Sequence, residues 1–144
     1  MAKENNAENQ QELIMKLGMF EQQMRQIQEQ LQLVEQNTIE LSSLSLGLDE
    51  LKGKKDEEIL AQVGRGIFVK AKLISEDLIV DVGSKNFVNK NISDTKKLIE
   101  NQLGRLNEIK ESLSNSLEEI NAEVTKIILN AQEDNRKKEK IGKF

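Results

Sequence analysis

The chain has 144 residues and a formal net charge of −4, with 32% charged and 3% aromatic residues. Since it contains no Cys and no His, the sequence excludes thiol nucleophiles, Ser-His-Asp triads, disulfides and zinc sites built from thiolate or imidazole ligands. The negative charge disfavours nucleic acid as a partner, because nucleic-acid binding needs a basic surface.

The N-terminal segment and the hydropathy of the chain predict a soluble, cytoplasmic protein with no membrane partner. The opening residues, MAKENNAENQQE, contain no apolar core of a secretory signal. No stretch approaches the roughly 20 apolar residues that a membrane-spanning helix needs. The absence of Cys fits a cytosolic protein that needs no disulfide.

The first predicted element is a long helix over residues 10–51, because Pro is absent and Leu, Glu, Gln and Lys are frequent. Its apolar residues alternate in spacings of four and three, which is the heptad pattern of a coiled-coil seam. The seam residues are Leu13, Leu17, Phe20, Met24, Ile27, Leu31, Val34, Thr38 and Leu41. Beyond them the strict frame reaches Ser45, whereas Leu44 suggests a local shift of the seam. Gly53 suits the left-handed position that ends a helix.

The period of the apolar residues changes in the middle of the chain. Runs of β-branched and other apolar residues, separated by turn residues, predict four short strands in two antiparallel hairpins. These runs cover residues 58–63, 67–73, 78–82 and 87–89. The Gly64-Arg65-Gly66 segment lacks the Lys-Ser/Thr ending of a phosphate-binding loop, so no nucleotide or other cofactor is predicted.

The last predicted element is a second long helix, with Ser93 or Asp94 as the expected N-cap. Its seam has the same alternating spacings, and Lys110 interrupts the apolar pattern once. The seam residues are Ile99, Leu103, Leu106, Lys110, Leu113, Leu117, Ile120, Val124, Ile127 and Ala131. A basic cluster that begins at Arg136 is interpreted as a solvated helix end.

The predicted fold class is α+β, a long antiparallel coiled-coil helical hairpin with two β-hairpins at its base. The predicted domains are residues 1–53 for the N-terminal coiled-coil helix, 54–92 for the β-hairpins and 93–144 for the C-terminal coiled-coil helix and tail. The β segment is too short to bury a core of its own, and a small sheet with open edges tends to pair with another chain. Partner strands that complete an oligomeric β-barrel resolve both problems. The chain is therefore expected to be an obligate assembly subunit.

Two glycine-punctuated segments resemble the α class of the prefoldin family. Residues 63–71, VGRGIFVKA, are similar to the family pattern V-G-x-G-S-F-x-K-A, and residues 80–91 are similar to V-x-V-G-x-G-x-x-V-E/K. The presence of two hairpins also resembles the α class, since the β class has one. Gln62 stands where the family often has Pro, and Lys85 stands where it often has a second Gly.

The resemblance implies an ATP-independent holding chaperone. It implies a hexamer of two α subunits and four prefoldin β subunits, which captures unfolded client proteins at the coiled-coil tips and delivers them to a group II chaperonin without a cofactor. A structural coiled-coil adaptor or scaffold subunit that holds no client is the alternative. An enzyme is not expected, because neither a set of catalytic groups nor a concave site is evident.

The predicted client-binding surface lies at the tips, and its residues are Ile14, Met15, Met19, Phe20, Ile128 and Leu129. Phe20 is also a seam residue, but the others fall off the seams, so packing within one coiled coil does not account for them. Flexible Met side chains suit apolar contact with many partners. Ile141 and Phe144 in the tail are expected to extend this surface.

The predicted oligomer interface lies on the hairpins, and its residues are Ile67, Phe68, Val69, Leu78, Val80, Val82, Phe87 and Val88. Because the alternation along the strands is imperfect, the division of these residues between barrel core and subunit interface stays open. Adjacent acids such as Glu118 and Glu119 point in different directions on a helix, so no metal site is predicted.

Overall fold

The computed structural model describes the backbone of residues 2–142 and the side chains of residues 8–134. The chain contains two long helices with four short strands between them in sequence. The order is α1 (Ala2–Leu51), β1 (Glu58–Gly64), β2 (Ile67–Lys72), β3 (Leu78–Asp81), β4 (Phe87–Lys90) and α2 (Ile92–Gly142). The strands form two separate antiparallel sheets, β1 with β2 and β3 with β4. The predicted fold class, a helical hairpin with two β-hairpins between its helices, is confirmed.

The side chains of α1 follow one uninterrupted heptad seam. Every partly or fully buried side chain between residues 8 and 50 lies on the predicted seam or on its strict continuation through Ser45 and Leu48. The predicted shift at Leu44 is wrong, because that side chain is 50% exposed while Ser45 is half-buried. In a continuous helix the spacing of 3.5 residues decides which side faces the partner helix, so a more apolar neighbour does not move the seam.

The side chains of α2 show the matching seam. All predicted seam positions from Ile99 to Ala131 are partly or fully buried except Lys110, which is exposed, so the interruption predicted there is confirmed. The seam also extends toward the N-terminus of the helix, where Lys96 is half-buried and Ile92 is buried. The side chains of the basic cluster that begins at Arg136 lie outside the described residues.

The chain divides into two compact units. The hairpin unit contains Gln36–Asn107, and the helix-terminal unit contains the segment of α1 up to Glu35 and the segment of α2 from Glu108. In the hairpin unit, Leu48 of α1 clusters with Ile92 and Ile99 of α2. Earlier residues of α1 line a groove together with later residues of α2, so the helices run antiparallel there.

An ion pair joins the two helices beside this apolar cluster. Lys96 Nζ donates to Asp49 Oδ1 at 2.5 Å, and Lys52 Nζ lies 3.5 Å from the same oxygen. The hydrogen bond from Lys96, together with the charges of Lys96 and Lys52, lowers the pKa of the Asp49 carboxyl although partial desolvation opposes the shift. Because the carboxylate is exposed, the pair adds little stability.

The end of α1 is tied to the segment between the hairpins. Gly53 has a φ of 75°, the left-handed conformation expected of a residue that ends a helix. Its N–H donates to the side-chain carboxylate of Glu76, which lies between β2 and β3. The link couples the helix end to the connection between the two hairpins.

The N-cap of α2 is Asn91, so the prediction of Ser93 or Asp94 is wrong. Asn91 Oδ1 accepts a hydrogen bond of 2.7 Å from the Asp94 N–H, and the Asn91 carbonyl accepts one from Thr95 Oγ1. Ser93 and Asp94 therefore lie in the first turn, where the acidic side chain of Asp94 interacts favourably with the helix dipole.

Asn91→Ala should destabilise the chain by about 1 kcal/mol, because it removes the side-chain acceptor of the Asp94 N–H. Ser93→Ala is the control, since Ser93 is exposed within the first turn, and it should change the stability by less than about 0.5 kcal/mol. Thermal unfolding followed by circular dichroism measures both variants. A larger loss for Ser93→Ala would contradict the cap assignment.

The turn of the second hairpin holds two non-glycine residues in the left-handed region. The Asn86 N–H donates to the Gly83 carbonyl at 2.9 Å, and the residues between them, Ser84 and Lys85, have φ values of 51° and 62°. Positive φ at both central positions is the type I′ conformation that fits the twist of a hairpin. Lys85 is thus strained at the position where the family often has Gly.

Lys85→Gly should raise the free energy of unfolding by up to about 1 kcal/mol, because Gly adopts positive φ without the Cβ clash. Lys85→Val should lower it by at least about 1 kcal/mol, because a β-branched residue tolerates this region worst. Denaturant unfolding of the two variants beside the parent chain tests the strain. Equal stability of the Gly and Val variants would show that the turn is not strained at Lys85.

Candidate assembly and client-binding surfaces

Each hairpin has one face that is partly covered within the chain. Directly opposed residues of an antiparallel pair share a face. In the first hairpin the covered face carries Ile59 opposite Ala71 and Ala61 opposite Val69. In the second hairpin it carries Leu78 and Val80 of β3 with Val88 and Lys90 of β4. Leu78 packs against the apolar cluster of the helices, which fixes the inward side of this hairpin.

The opposite face of each hairpin exposes large apolar side chains. In the first hairpin these are Leu60, which is 68% exposed, and Phe68. In the second they are Ile79, which is 74% exposed, and Phe87. A two-stranded hairpin with apolar residues on both faces is marginal by itself, and exposed apolar clusters of this kind mark interaction surfaces.

The residues predicted for the interface divide between these faces. Phe68 and Phe87 lie on the exposed faces, and Ile67 and Val82 are exposed beside the two turns. Leu78 and Val80 are half-buried on the partly covered face of the second hairpin, whereas Val69 and Val88 lie on the partly covered faces but are exposed. Leu60, Val63 and Ile74 are also exposed but were absent from the predicted interface. Strict alternation within β1 would have identified Leu60, since its neighbours Ile59 and Ala61 share the other face.

Charged residues share the exposed faces with the apolar side chains, and Lys70 lies directly opposite Leu60. Glu58 lies directly opposite Lys72, and β2 also carries Lys70. Asp81 lies on the exposed face of the second hairpin opposite Phe87. Opposite charges across a strand pair support the register, and lysines on an edge discourage unselective pairing. The exposed faces of the hairpins therefore combine apolar and charged side chains.

The helix-terminal unit exposes the off-seam residues that were predicted to bind clients. Ile14 and Met15 are each 69% exposed and Met19 is 61% exposed, and Ile128 and Leu129 of α2 are exposed as well. Phe20 differs from them because it is half-buried on the seam. The side chains of Ile141 and Phe144 lie outside the described residues.

A groove of about 240 Å³ connects the two helices within this unit. It is lined by Lys16, Met19, Phe20, Gln23, Glu123 and Ile127. Phe20 and Ile127 are half-buried seam residues, whereas Met19 is exposed. The groove brings a partly accessible aromatic ring together with a flexible thioether, which suits apolar segments of varied shape.

Further apolar residues are exposed along the helices beyond those predicted, and they are Leu33, Ile39, Leu44, Leu46, Leu98 and Ile109. Their signal in the sequence is the same as that of Met15 and Met19, because each lies off the heptad seam. A larger groove of about 500 Å³ in the hairpin unit is lined by Leu41, Leu44, Leu106 and four polar residues. It contains no residue predicted for either surface.

The chain buries very few side chains. Among residues 8–134, Val34, Leu48, Ile92 and Ile99 are the buried ones. Within the described residues there is also no cluster of acidic side chains that could hold a metal ion. Over the same part of the chain, neither helix combines the length and apolar character needed to cross a bilayer. Most of the described side chains, including many large apolar ones, are thus at least partly exposed.

The fold is a pair of long helices joined through two β-hairpins that expose apolar side chains. The family model for prefoldin subunits matches residues 20–137. Prefoldin subunit alpha of Methanobrevibacter smithii is 32% identical over 117 residues, which cover 81% of this chain and 75% of that protein. Prefoldin subunit alpha 1 of Methanocaldococcus jannaschii is 32% identical over 101 residues, which cover 67% of this chain and 70% of that protein. The chain therefore belongs to the prefoldin family, and to its α class.

A solved structure agrees with the fold. A filamentous PFD from Methanocaldococcus jannaschii, determined by cryo-EM, matches with a TM-score of 0.69 at 18% identity, over 80% of this chain and 97% of that chain. At this identity the likeness supports the fold alone. Prefoldins are a non-catalytic family of chaperone subunits, so membership gives this chain a general chaperone role.

Proposed function

We propose that the chain is the α subunit of a cytoplasmic, hetero-oligomeric holding chaperone. It captures unfolded proteins on the exposed apolar residues at positions 14, 15 and 19 of α1 and 128 and 129 of α2, and passes them to a group II chaperonin without using ATP. The observation that carries this proposal is the exposure of Ile14, Met15 and Met19 on α1 together with Ile128 and Leu129 on α2. These residues serve neither the seam nor the hairpins.

Assembly is the first step of the proposed function. The exposed faces with Phe68 and Phe87 need cover, and open strand edges can accept strands of other subunits. The partner of matching chemistry is a prefoldin β subunit, with two copies of this chain and four β subunits in a hexamer. The hairpins close into β-barrels in that complex, which covers their apolar faces.

Client capture is the second step. An unfolded protein exposes apolar segments without a fixed shape, so its receptor needs apolar side chains that adapt. Met15 and Met19 meet this need, because Met has three rotatable bonds and no branch. Several weak contacts from six helix pairs would act together, which gives affinity through multivalency while each contact remains easily broken.

A structural adaptor that holds no client would use the same hairpins. It would gain nothing from exposed Ile14, Met15 or Met19, since polar residues there would keep the chain from aggregating. Their exposure favours the holding function over the adaptor.

Light scattering of a denatured client tests the proposal. The chain is co-expressed with a prefoldin β subunit, the purified complex is mixed with a chemically denatured protein on dilution, and no nucleotide is added. Scattering should fall as the complex is added and level off near one complex per client. The intact complex leaving aggregation unchanged would overturn client holding.

Delivery is tested separately. A group II chaperonin with ATP is added to the complex that already holds the client, and native activity of the client is measured. Recovery should exceed that of the complex alone, because the chaperonin removes and folds the client. Recovery unchanged by the chaperonin would refute delivery while leaving client holding intact.

A further inference from the structure

Two methionines of the helix-terminal unit are open to chemical modification, whereas a third is protected. Met15 and Met19 are 69% and 61% exposed, but Met24 is half-buried on the coiled-coil seam. Met15 and Met19 are also four residues apart, so they lie side by side on one face of α1. Accessibility decides how readily a thioether is oxidised.

We propose that Met15 and Met19 form a peroxide-sensitive switch on the client-binding surface, which their oxidation turns from apolar to polar. The proposal rests on the proposed function, because it concerns the residues that hold the client. In the reaction, the thioether sulfur attacks one oxygen of hydrogen peroxide, the O–O bond breaks and an S–O bond forms. The sulfur loses two electrons, and the second peroxide oxygen leaves as water after proton transfer. The product is methionine sulfoxide.

The physical effect follows from the polarity of the new group. A sulfoxide keeps its hydration when exposed and resists contact with the apolar side chains of a client, which offer it no hydrogen-bond donor. Met19 also lines the groove with Phe20 and Ile127, so its oxidation places an S–O dipole in the same groove as these two apolar side chains. The seam itself is spared because Met24 is shielded, and the coiled coil should therefore survive conditions that modify the surface.

Selective oxidation is tested by mass spectrometry of the complex after graded peroxide treatment. Trypsin cleavage after Lys16 and Arg25 releases residues 17–25 as one peptide, which contains both Met19 and Met24. The two sulfoxides can thus be compared within the same fragment. Met19 should be oxidised several times faster than Met24, and Met15, in the preceding peptide, should match Met19. Equal rates for Met19 and Met24 would overturn the proposal.

The functional consequence is tested by client holding before and after treatment. The affinity for a denatured client should fall by roughly tenfold, which corresponds to about 1.4 kcal/mol. The two types of methionine sulfoxide reductase, one for each sulfoxide epimer, should then restore it when added together, because between them they reverse the modification. Unchanged affinity after full oxidation of Met15 and Met19 would refute the proposed switch.

Two variants assign the effect to these side chains. Each is compared with its own untreated sample, so its starting affinity does not matter. Met15→Leu with Met19→Leu should make holding insensitive to peroxide, whereas Met24→Leu should leave it as sensitive as in the parent chain. Met1 is present in both and provides a shared background. If the untreated parent complex fails to hold clients, the proposed function fails; if it holds them equally before and after oxidation, the switch alone fails.

Discussion

Phe68→Asp should release the chain from its complex with prefoldin β subunits. Phe68 is exposed on the outward face of the first hairpin, opposite Gln62 on the neighbouring strand. Burial of a Phe side chain contributes roughly 1.5–3 kcal/mol, and a carboxylate placed in the same apolar contact would remain unpaired. The dissociation constant should therefore rise by more than about a hundredfold. Size-exclusion chromatography with light-scattering detection measures the mass of the complex.

The matched control is Asn86→Asp, which adds the same negative charge to a hairpin. Asn86 is exposed in the turn of the second hairpin and takes part there through its backbone N–H and carbonyl groups. This variant should assemble like the parent chain. A full-sized complex with Phe68→Asp, or equal loss of assembly with Asn86→Asp, would contradict the role of Phe68 in the interface.

Replacement of the exposed client-binding residues by Ser should abolish most client holding while leaving the complex assembled. The variant changes Ile14, Met15, Met19, Ile128 and Leu129 together. All five are exposed and lie off the seam, so the coiled coil keeps its contacts. One fully buried side chain of this size contributes roughly 1.5–3 kcal/mol, so the affinity for an unfolded client should fall at least roughly tenfold. Suppression of client aggregation without ATP is the measurement.

A second fivefold Ser variant provides the matched control, and it changes Leu33, Ile39, Leu46, Leu98 and Ile109. These residues are also exposed, apolar and off the seam. Both variants pay the same helix-propensity cost, roughly 0.5 kcal/mol or less for each Ser. The control should retain most of the holding capacity. Equal loss in both variants would show that clients bind along the helices in general and not at the helix-terminal residues.

The helices were predictable because their information is repeated many times. Nine seam residues of α1 follow one alternating spacing, so a single ambiguous residue does not change the prediction of a helix. The same repetition decides the competition between Leu44 and Ser45, and the error there came from ranking hydrophobicity above the frame. The N-cap of α2 was harder to predict, because Asn91, Ser93 and Asp94 lie within one turn and all belong to the residue types that cap helices. The end of β4 at Lys90 selects Asn91, and that boundary depends on strand pairing.

The two candidate surfaces were predictable to different degrees. The exposure of Ile14, Met15 and Met19 follows from the heptad frame alone, and the structure agrees with it. Which hairpin face is covered could not be predicted, since Phe68 and Val69 are both large, apolar and adjacent. Contacts between residues far apart in sequence, such as the packing of Leu78 against the helix cluster, determine which face of the hairpin is turned inward. The binding roles of both surfaces remain predictions.

The central claim is that this chain holds unfolded proteins as part of a prefoldin complex. Native mass spectrometry of the co-expressed complex, titrated with an unfolded client and without nucleotide, tests both halves at once. The spectrum should contain the mass of two copies of this chain with four β subunits, and a second species heavier by one client. A hexamer that never gains the client mass would contradict the holding function, and a spectrum of separate subunits would contradict the assembly on which it depends.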